Sequence, residues 1–223
     1  MRCASLLVSL FLFVSCASSS RATLPAAERK LIDSPGPLLE IVTWDPAKNE
    51  GHPVLRQRAR PAGGLARGDL EKLDRLMRAT LEKSGGVGLA APQVGLPLRV
   101  VLVQLQDPAK TVITCVDPVI EVRSEAVVDG YEGCLSIPGL GGKVRRHEAI
   151  QVRCLSLEGR VKIYESSGFE ARIFQHELDH LDGVLYADKL EGALMPIEEM
   201  RRRRAAEAGG AAEAGPSNEA GKK

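Results

Sequence analysis

The sequence predicts an α+β fold in which mixed or antiparallel strands pack around a central helix. Two segments repeat apolar residues at helical spacing, and between them lie four short segments with the pattern of strands. The length of 223 residues and the hydrophobic content of 44% suit one globular domain with tails. The second helical segment also contains the residues that indicate chemistry.

The first 20 residues have the composition of a targeting segment. Arg2 provides a positive charge, residues 6–14 are apolar except for Ser9, and Cys16 follows. The apolar run is too short to span a bilayer as a mature helix, so it indicates a signal peptide or a lipoprotein-type leader lipidated at Cys16. Phe13 departs from the lipoprotein pattern. An ordinary cleaved signal and a wrongly assigned start codon are the alternatives.

Composition also predicts the limits of the folded domain. Residues 21–38 are small, polar and charged, and we expect them to form a linker. Residues 39–204 contain the periodic segments and would form the folded domain. Residues 205–223 are mostly Ala, Gly and Glu without periodicity, which predicts a disordered tail.

The first helix is predicted over residues 69–82. Its Leu and Met residues recur every three or four positions, as on one face of a helix. Asp69 is predicted to be the N-cap, and Gly85 with Gly86 lies beyond the end.

Strands are predicted over residues 98–105, 112–122 and 149–157, the second of them interrupted by Pro118. A tight turn at Glu158 and Gly159 leads into a further strand at residues 161–164. Together these last two strands have the pattern of a hairpin.

The second helix is predicted to begin at Ser167. Ser167 and Glu170 have the spacing of a capping box, and Gly183 is suited to end the helix. A last helix is predicted from Pro196 into the four arginines at residues 201–204, which we expect to be a solvated helix face.

Charge and cysteine usage exclude some classes of protein. Lys and Arg number 30 against 29 Asp and Glu, so nothing indicates binding to nucleic acid. Outside the leader, three cysteines remain, and an odd number does not suggest a disulfide framework. Cys115 and Cys154 are predicted to pack in the core, whereas Cys134 lies in a segment discussed below.

The second helix contains the sequence His-Glu-Leu-Asp-His. Four residues turn a helix through about 400°, so His176 and His180 lie about 40° apart on one face. Two imidazoles at this spacing can bind one divalent metal, with Glu177 beside it to accept a proton from water. The alternative is a solvated face with two histidines, but Phe169 and Ile173 share this face and predict that it is buried.

The third ligand would distinguish between classes of metalloenzyme. Metzincin proteases use a third histidine, and Tyr186 occupies that position here. Thermolysin-like proteases use a later glutamate. Glu198 and Glu199 are the candidates for that role, but both adjoin the arginine run. Cys134 is the better candidate.

Three separated segments resemble the signature motifs of the peptide deformylases. They are Gly-Val-Gly-Leu-Ala-Ala-Pro-Gln at 86–93, Glu-Gly-Cys-Leu-Ser-Ile-Pro at 132–138 and Gln-His-Glu-Leu-Asp-His at 175–180. Their order and separation are similar to those of the family, and the resemblance extends over residues 39–190. Two departures are His52, where an aspartate is usual, and the loop 139–142, which lacks the arginine that many members carry. We expect His52 to be non-catalytic.

This resemblance implies a metal-dependent hydrolase that removes the formyl group from N-formylmethionyl peptides and releases formate. Three residues are implied as metal ligands: Cys134, His176 and His180. Glu177 is implied as general base and then general acid. The Gln93 side chain and the Leu135 backbone N–H would donate to the oxyanion. Four residues would bind substrate: Val87, Gly88, Glu132 and Gly133.

In the peptide deformylase family the metal is usually Fe²⁺, and Zn²⁺, Ni²⁺ or Co²⁺ can occupy the same ligands. The ligands alone do not select among these ions. Asp179 belongs to the third motif and is expected to orient a ligand or an arginine. Asp182 is expected to face solvent at the end of the helix.

Two other functions stay open at this point. A metallopeptidase would cleave internal amide bonds and would need neither Gln93 nor Cys134, whereas a non-catalytic relative would only bind formylated peptides. The expected partners are an N-formylmethionyl peptide or nascent chain, the ribosome, and a membrane only through the leader. We expect a monomer, exported or membrane-anchored if the leader functions and cytoplasmic otherwise.

Overall fold

The computed structural model describes residues 22–33 and 36–213. This part of the chain forms four α-helices: α1 (Ala26–Ile32), α2 (Arg67–Ser84), α3 (Gly168–Leu181) and α4 (Ile197–Glu213). It also forms ten strands: β1 (Trp44–Asp45), β2 (Glu50–Gly51), β3 (Gly88–Ala90), β4 (Val100–Gln104), β5 (Val112–Arg123), β6 (Val127–Cys134), β7 (Ile137–His147), β8 (Ala149–Leu155), β9 (Val161–Ser167) and β10 (Met195–Pro196). The leader predicted over residues 1–20 lies outside the described residues.

The strands form one large and two small antiparallel sheets. The large sheet has the order β3-β4-β5-β8-β9, a second has the order β10-β7-β6, and β1 pairs with β2. Helix α3 packs against strands of the large sheet and also contacts β7. The predicted α+β class with a central helix is confirmed.

Helix α2 follows the predicted apolar spacing. Its buried apolar residues are Leu70, Leu73, Met77 and Leu81. The helix ends at Gly85, whose φ of 68° is left-handed, as the sequence predicted. It begins at Arg67, so Asp69 lies in the first turn and is not the N-cap. Instead, the Asp69 carboxylate accepts hydrogen bonds from the Arg29 guanidinium, the longer at 2.7 Å.

The segment before residue 39 packs on the domain, so the predicted linker is wrong for its described part. Leu24 and Ile32 are buried in the main core. Arg29 of α1 pairs with α2, and Glu28 accepts a hydrogen bond from Arg60 at 2.8 Å. Helix α1 has only 7 residues, too few for an apolar period to be visible in the sequence.

Strand β5 continues through Pro118, where the sequence predicted a break. Its register against β8 shifts at this point, and Asp117 adopts a φ of 50°. The Asp117 carboxylate accepts hydrogen bonds from the backbone N–H groups of Ala62 and Gly63 at 2.7 and 2.8 Å. A bulge therefore accommodates the proline, which cannot donate to the ladder.

The β6–β7 hairpin was not predicted. Glycines recur along it, at Gly130, Gly133, Gly141 and Gly142 among others, and glycine has a low strand propensity. Much of β6 is exposed, so it lacks a continuous apolar face. This hairpin matters for the site because Cys134 is the last residue of β6.

Helix α3 begins and ends close to the predicted residues, but it is not closed by a capping box. The Ser167 side chain makes no capping hydrogen bond. Glu170 instead accepts hydrogen bonds from Ser166 Oγ at 2.7 Å and from the Gln106 backbone N–H at 2.8 Å. Gly183 has a φ of 73°, which fits its predicted role at the end of the helix.

Helix α4 extends the fold beyond the predicted limit of residue 204. The helix continues through Glu213, so the predicted disorder is wrong for residues 205–213, while residues 214–223 lie outside the description. Among the described residues, no helix combines the length and the apolar character needed to cross a membrane.

Candidate active site

Two faces of helix α3 make different contacts. One face is apolar and packs into the core with the large sheet through Phe174, Leu178 and Leu181. The other lines a cavity of about 550 Å³ between α3, the β6–β7 hairpin and α4. Ile173 is buried, as predicted, but Phe169 is 40% exposed at this cavity, so the prediction for Phe169 is wrong.

The structure brings together the three side chains that the sequence proposed as metal ligands. Cys134, His176 and His180 each offer a ligand atom, and these atoms lie within 4.8 Å of one another. The Cys134 Sγ is 3.2 Å from Nε2 of His180. Within the described ranges, no other group of three His, Cys, Asp or Glu side chains is close enough to share an ion.

The donor set fits a divalent transition metal. A thiol and two imidazoles are ligands that such ions accept, and three protein ligands leave a position for water or substrate. Nδ1 of His176 lies 2.8 Å from Glu132 Oε2, so Nε2 is the nitrogen left for an ion. Beside the cluster, Glu177 Oε2 is buried without a hydrogen-bond partner among the described residues, as is Nδ1 of His180.

A buried ion-pair network holds Glu132 at the centre of the site. Its carboxylate accepts two hydrogen bonds from Arg146 at 2.9 Å and one from Arg172 at 2.9 Å, besides its contact with His176. Burial opposes the charged form, but the hydrogen bonds from Arg146 and His176 outweigh it and hold the pKa of Glu132 well below its usual value. Both oxygens are therefore engaged by side chains of the protein, and Glu132 is also among the residues that line the cavity.

Arg146 and Arg172 were given no role by the sequence. Arg172 also donates to the backbone carbonyls of Val128 at 2.9 Å and Val144 at 2.8 Å, which joins α3 to the β6–β7 hairpin. Arg172 lies four residues before His176, so helical spacing could have placed it on the same face.

Asp179 orients an arginine, as expected from the sequence. Its Oδ2 lies 2.5 Å from Arg146 Nη1, and its Oδ1 accepts from Lys189 at 2.7 Å. Asp182 is about half exposed and pairs with Arg99 at 2.8 Å at the end of α3.

The charges around the site favour binding of a cation. Burial opposes protonation of His176, but Cys134 and Glu132 outweigh it and hold the pKa of His176 well above its usual value. The negative groups that stabilise a proton on His176 would also stabilise a metal ion bound there. Burial and the charge on His176 lower the pKa of His180, which keeps that imidazole in the neutral form that binds metals.

Glu177 is buried with its carboxylate beside Gly88. Burial raises the pKa of Glu177 to about 7. A Cβ atom on residue 88 would lie 2.3 Å from Glu177 Oε1, so only glycine leaves room for this carboxylate. The close approach of the Glu177 carboxylate to the backbone, rather than an unusual φ, therefore explains the glycine at position 88.

Gln93 directs its amide toward the ligand cluster. The side chain is 1% exposed, and its Oε1 accepts a hydrogen bond from the Ala90 backbone N–H at 2.8 Å. This contact leaves the NH₂ group facing Cys134, with Nε2 3.4 Å from the sulfur. Leu135 follows Cys134 in the turn between β6 and β7 and lines the same cavity.

The other proposed residues lie in different parts of the structure. Val87, Gly88 and Gly133 line the cavity. His52 caps a 3-10 helix, where its Nδ1 accepts from the Val54 backbone N–H at 3.3 Å. Three further candidates lie elsewhere: Tyr186 is buried with its ring 6.0 Å from that of His176, and Glu198 and Glu199 pair with arginines of α4.

Cys115 and Cys154 lie in the core, as predicted, with their sulfur atoms 2.7 Å apart. Neither residue lines the cavity. Among the described cysteines, only Cys134 is placed to bind a metal together with the two histidines.

Comparisons with known proteins find one family of similar sequences. The family model described as polypeptide deformylase matches residues 46–194. A peptide deformylase of Symbiobacterium thermophilum is 44% identical over 162 residues, which cover 73% of this chain and 70% of the relative. Another, from Desulforudis audaxviator, is 44% identical over 138 residues, with 61% of this chain and 87% of the relative covered.

Solved structures give the same result. A Synechococcus elongatus peptide deformylase in complex with actinonin has a TM-score of 0.63 at 32% identity, covering 77% of this chain and 88% of that one. A class I type b peptide deformylase of Acinetobacter baumannii with Met-Ala-Ser bound has a TM-score of 0.61 at 34% identity, covering 69% and 98%.

Proposed function

The chain belongs to the polypeptide deformylase family, and from this premise we propose how its cavity carries out the reaction. The protein is a hydrolase that removes the formyl group from the N-terminus of nascent peptides. The main structural support is the cluster of Cys134, His176 and His180. Glu177 is buried beside this cluster, and the Gln93 amide faces it. Neither the metallopeptidase nor the non-catalytic alternative has support from the relatives.

The family is metal-dependent, and Cys134, His176 and His180 would hold one divalent metal in this chain. Such an ion supplies Lewis-acid chemistry when bound, because it polarises a carbonyl and lowers the pKa of water. We propose Fe²⁺ as the metal, with Zn²⁺, Ni²⁺ and Co²⁺ able to use the same ligands. A thiolate and two imidazoles are acceptable to each of these ions.

Glu177 would move the proton in both steps of the hydrolysis. Its carboxylate accepts a proton from the attacking water, whose oxygen forms a bond to the formyl carbon. When the C–N bond breaks, Glu177 returns the proton to the methionine nitrogen, and formate leaves. A pKa raised to about 7 by burial suits both roles near neutral pH.

The Gln93 amide and the Leu135 backbone N–H would donate hydrogen bonds to the oxyanion that develops on the formyl oxygen. Gln93 is held for this purpose by its bond to Ala90 and needs little rearrangement. Loss of one such donor typically costs about 2.7–4 kcal/mol of transition-state stabilisation.

The peptide would lie extended along the cavity. Gly88 and Gly133 permit close approach of its backbone, and Val87 and Ile173 provide apolar surface for the methionine side chain. The Acinetobacter baumannii relative with Met-Ala-Ser bound supports a peptide ligand here. Glu132 would act indirectly by fixing His176.

Several proposals concern the chain beyond its active site. We propose that the catalytic domain extends from α1 through α4, beyond the limits of residues 39–204 that composition predicted, and that it works as a monomer. Residues 1–20 would direct export, with Cys16 as the site of lipidation, whereas a chain that starts after them would work near the ribosome, where nascent chains emerge. Fractionation of tagged protein beside Cys16→Ser, in bacteria fed labelled palmitate, tests export. Unprocessed, unlabelled cytoplasmic protein in both cases would exclude it.

The reaction is tested by formate release from formyl-Met-Ala-Ser. Protein purified without oxygen should release formate in proportion to its metal content and should leave the unformylated peptide uncut. Cleavage of the unformylated peptide without formate release would point to a peptidase and overturn the proposal.

A further inference from the structure

Helix α4 forms one wall of the substrate cavity. Its residues Ile197, Met200, Arg201 and Arg204 line the cavity together with residues of α3 and the β6–β7 hairpin. Positions 197, 200, 201 and 204 have the spacing of one helical face. The sequence predicted a solvated helix here, and two of its four arginines instead face the cavity.

This face of α4 packs closely against the β6–β7 hairpin. Met200 is 6% exposed, and its sulfur lies 2.2 Å from where a Cβ on Gly141 would be. Farther along, the Glu207 carboxylate accepts hydrogen bonds from Tyr131 at 2.8 Å and Lys143 at 2.9 Å. The start of the helix is held as well, because β10 pairs with β7.

The two arginines have charge available for a ligand. Arg204 lies over the Phe169 ring at 5.4 Å, and it has no ion pair with any side chain of residues 22–33 and 36–207. Among the described side chains, Arg201 pairs only with Glu198, one helical turn away, and both are about two-thirds exposed or more. An exposed pair of this kind contributes little, so a substrate group can replace Glu198.

We propose that Arg201 and Arg204 bind a carboxylate of the substrate peptide downstream of its second residue. The formyl end must reach Cys134 and the histidines, and the first side chain has apolar surface at Val87 and Ile173. Later residues therefore extend toward the mouth of the cavity, where α4 carries its positive charge. The carboxylate can be an acidic side chain or the free end of a short peptide.

This inference rests on the proposed deformylase function and adds a preference among its substrates. Guanidinium groups form charge-assisted hydrogen bonds with carboxylates, and exposed pairs favour binding by about two- to fivefold. The effect should lie mainly in KM, because the arginines do not touch the reacting atoms. It should also weaken with salt, since exposed charges are screened.

The test compares kcat/KM for two amidated peptides, formyl-Met-Ala-Glu-amide and formyl-Met-Ala-Gln-amide. Wild-type enzyme should prefer the glutamate peptide about two- to fivefold. The double variant Arg201→Gln/Arg204→Gln should lose this preference while still hydrolysing the glutamine peptide. Arg202→Gln is the matched control, because Arg202 is exposed on the same helix and does not line the cavity.

Two further experiments distinguish the source of the carboxylate and the reason for the preference. Formyl-Met-Ala-Ser with a free carboxylate, compared with its amide, shows whether the chain end also binds. Arg201→Lys/Arg204→Lys keeps both charges and should retain the preference, which distinguishes charge from loss of packing on Phe169. Equal kcat/KM for the glutamate and glutamine peptides in the wild type, or an unchanged preference in the glutamine variant, overturns the inference. No hydrolysis of either peptide would instead count against the proposed function.

Discussion

Nδ1 of His176 lies 2.8 Å from Oε2 of Glu132, and this contact orients a proposed metal ligand. Because Arg146 and Arg172 bind the same carboxylate, Glu132 cannot rotate away without breaking several buried hydrogen bonds. The remaining nitrogen of His176 is thereby kept toward Cys134. Groups that orient a metal ligand in this way contribute to metal affinity.

Glu132→Gln is expected to weaken both the metal site and the fold. The amide cannot satisfy two buried guanidinium groups and an imidazole, so unfolding free energy should fall by about 3–5 kcal/mol, as when a buried ion pair loses one partner. Metal affinity should fall about 10–100-fold. Chelator competition and urea unfolding measure the two effects.

Glu199→Gln is the control for this substitution. Glu199 is paired with Arg203 on the exposed side of α4, so its loss should change stability by less than about 1 kcal/mol. If Glu132→Gln kept wild-type metal affinity, the orienting role of Glu132 would be excluded.

Glu177→Gln is expected to keep its metal and lose nearly all deformylation. The substitution preserves volume and removes the proton acceptor, and general acid–base catalysis contributes typically about 10²–10⁴-fold. Formate release and metal content are measured on the same preparation. Asp182→Asn, at the exposed end of α3, should behave as wild type, and near-normal turnover in Glu177→Gln would remove this residue from the mechanism.

The sequence predicted the parts of the fold that repeat an apolar pattern over several turns or strand positions. Helix α2 and strand β8 are of this kind, since their buried residues alternate or recur regularly. Helix α1 was missed because it is short, and β6 because much of it is exposed. Helix α1 is held by contacts with distant residues, such as that of Arg29 with Asp69.

In the candidate site, too, the sequence predicted local patterns but not contacts between distant residues. The spacing of His176 and His180 on one helix is local and could be read directly, whereas the place of Cys134 came from a resemblance. Arg146 and Arg172 meet only because the hairpin folds back on α3. Such long-range pairing has no signature in a single sequence.

Cys134→Ala is expected to lower metal affinity and abolish activity. It removes the only cysteine thiol that lies close enough to share an ion with the two histidines in the described part of the chain. Metal content after dialysis and formate release are the measurements.

Cys115→Ala and Cys154→Ala serve as matched controls for Cys134→Ala. Both thiols are buried in the core away from the cavity, so these variants should stay active even where stability falls. Equal loss of activity in all three variants, with stability unchanged, would contradict the assignment of Cys134.

Gly88→Ala is expected to reduce deformylation about 10²-fold while the enzyme keeps its metal, because displacing a catalytic group by about 1 Å costs roughly that much. The new Cβ would overlap Glu177 Oε1, 2.3 Å away, and the backbone of β3 is held on both sides by its sheet and by α3. The carboxylate must therefore move. Gly68→Ala is the control, since Gly68 lies in α2 with nothing within 4 Å of the added methyl group. Full activity in Gly88→Ala, with metal bound and the fold intact, would show that the position of Glu177 tolerates displacement and that it is not held for proton transfer.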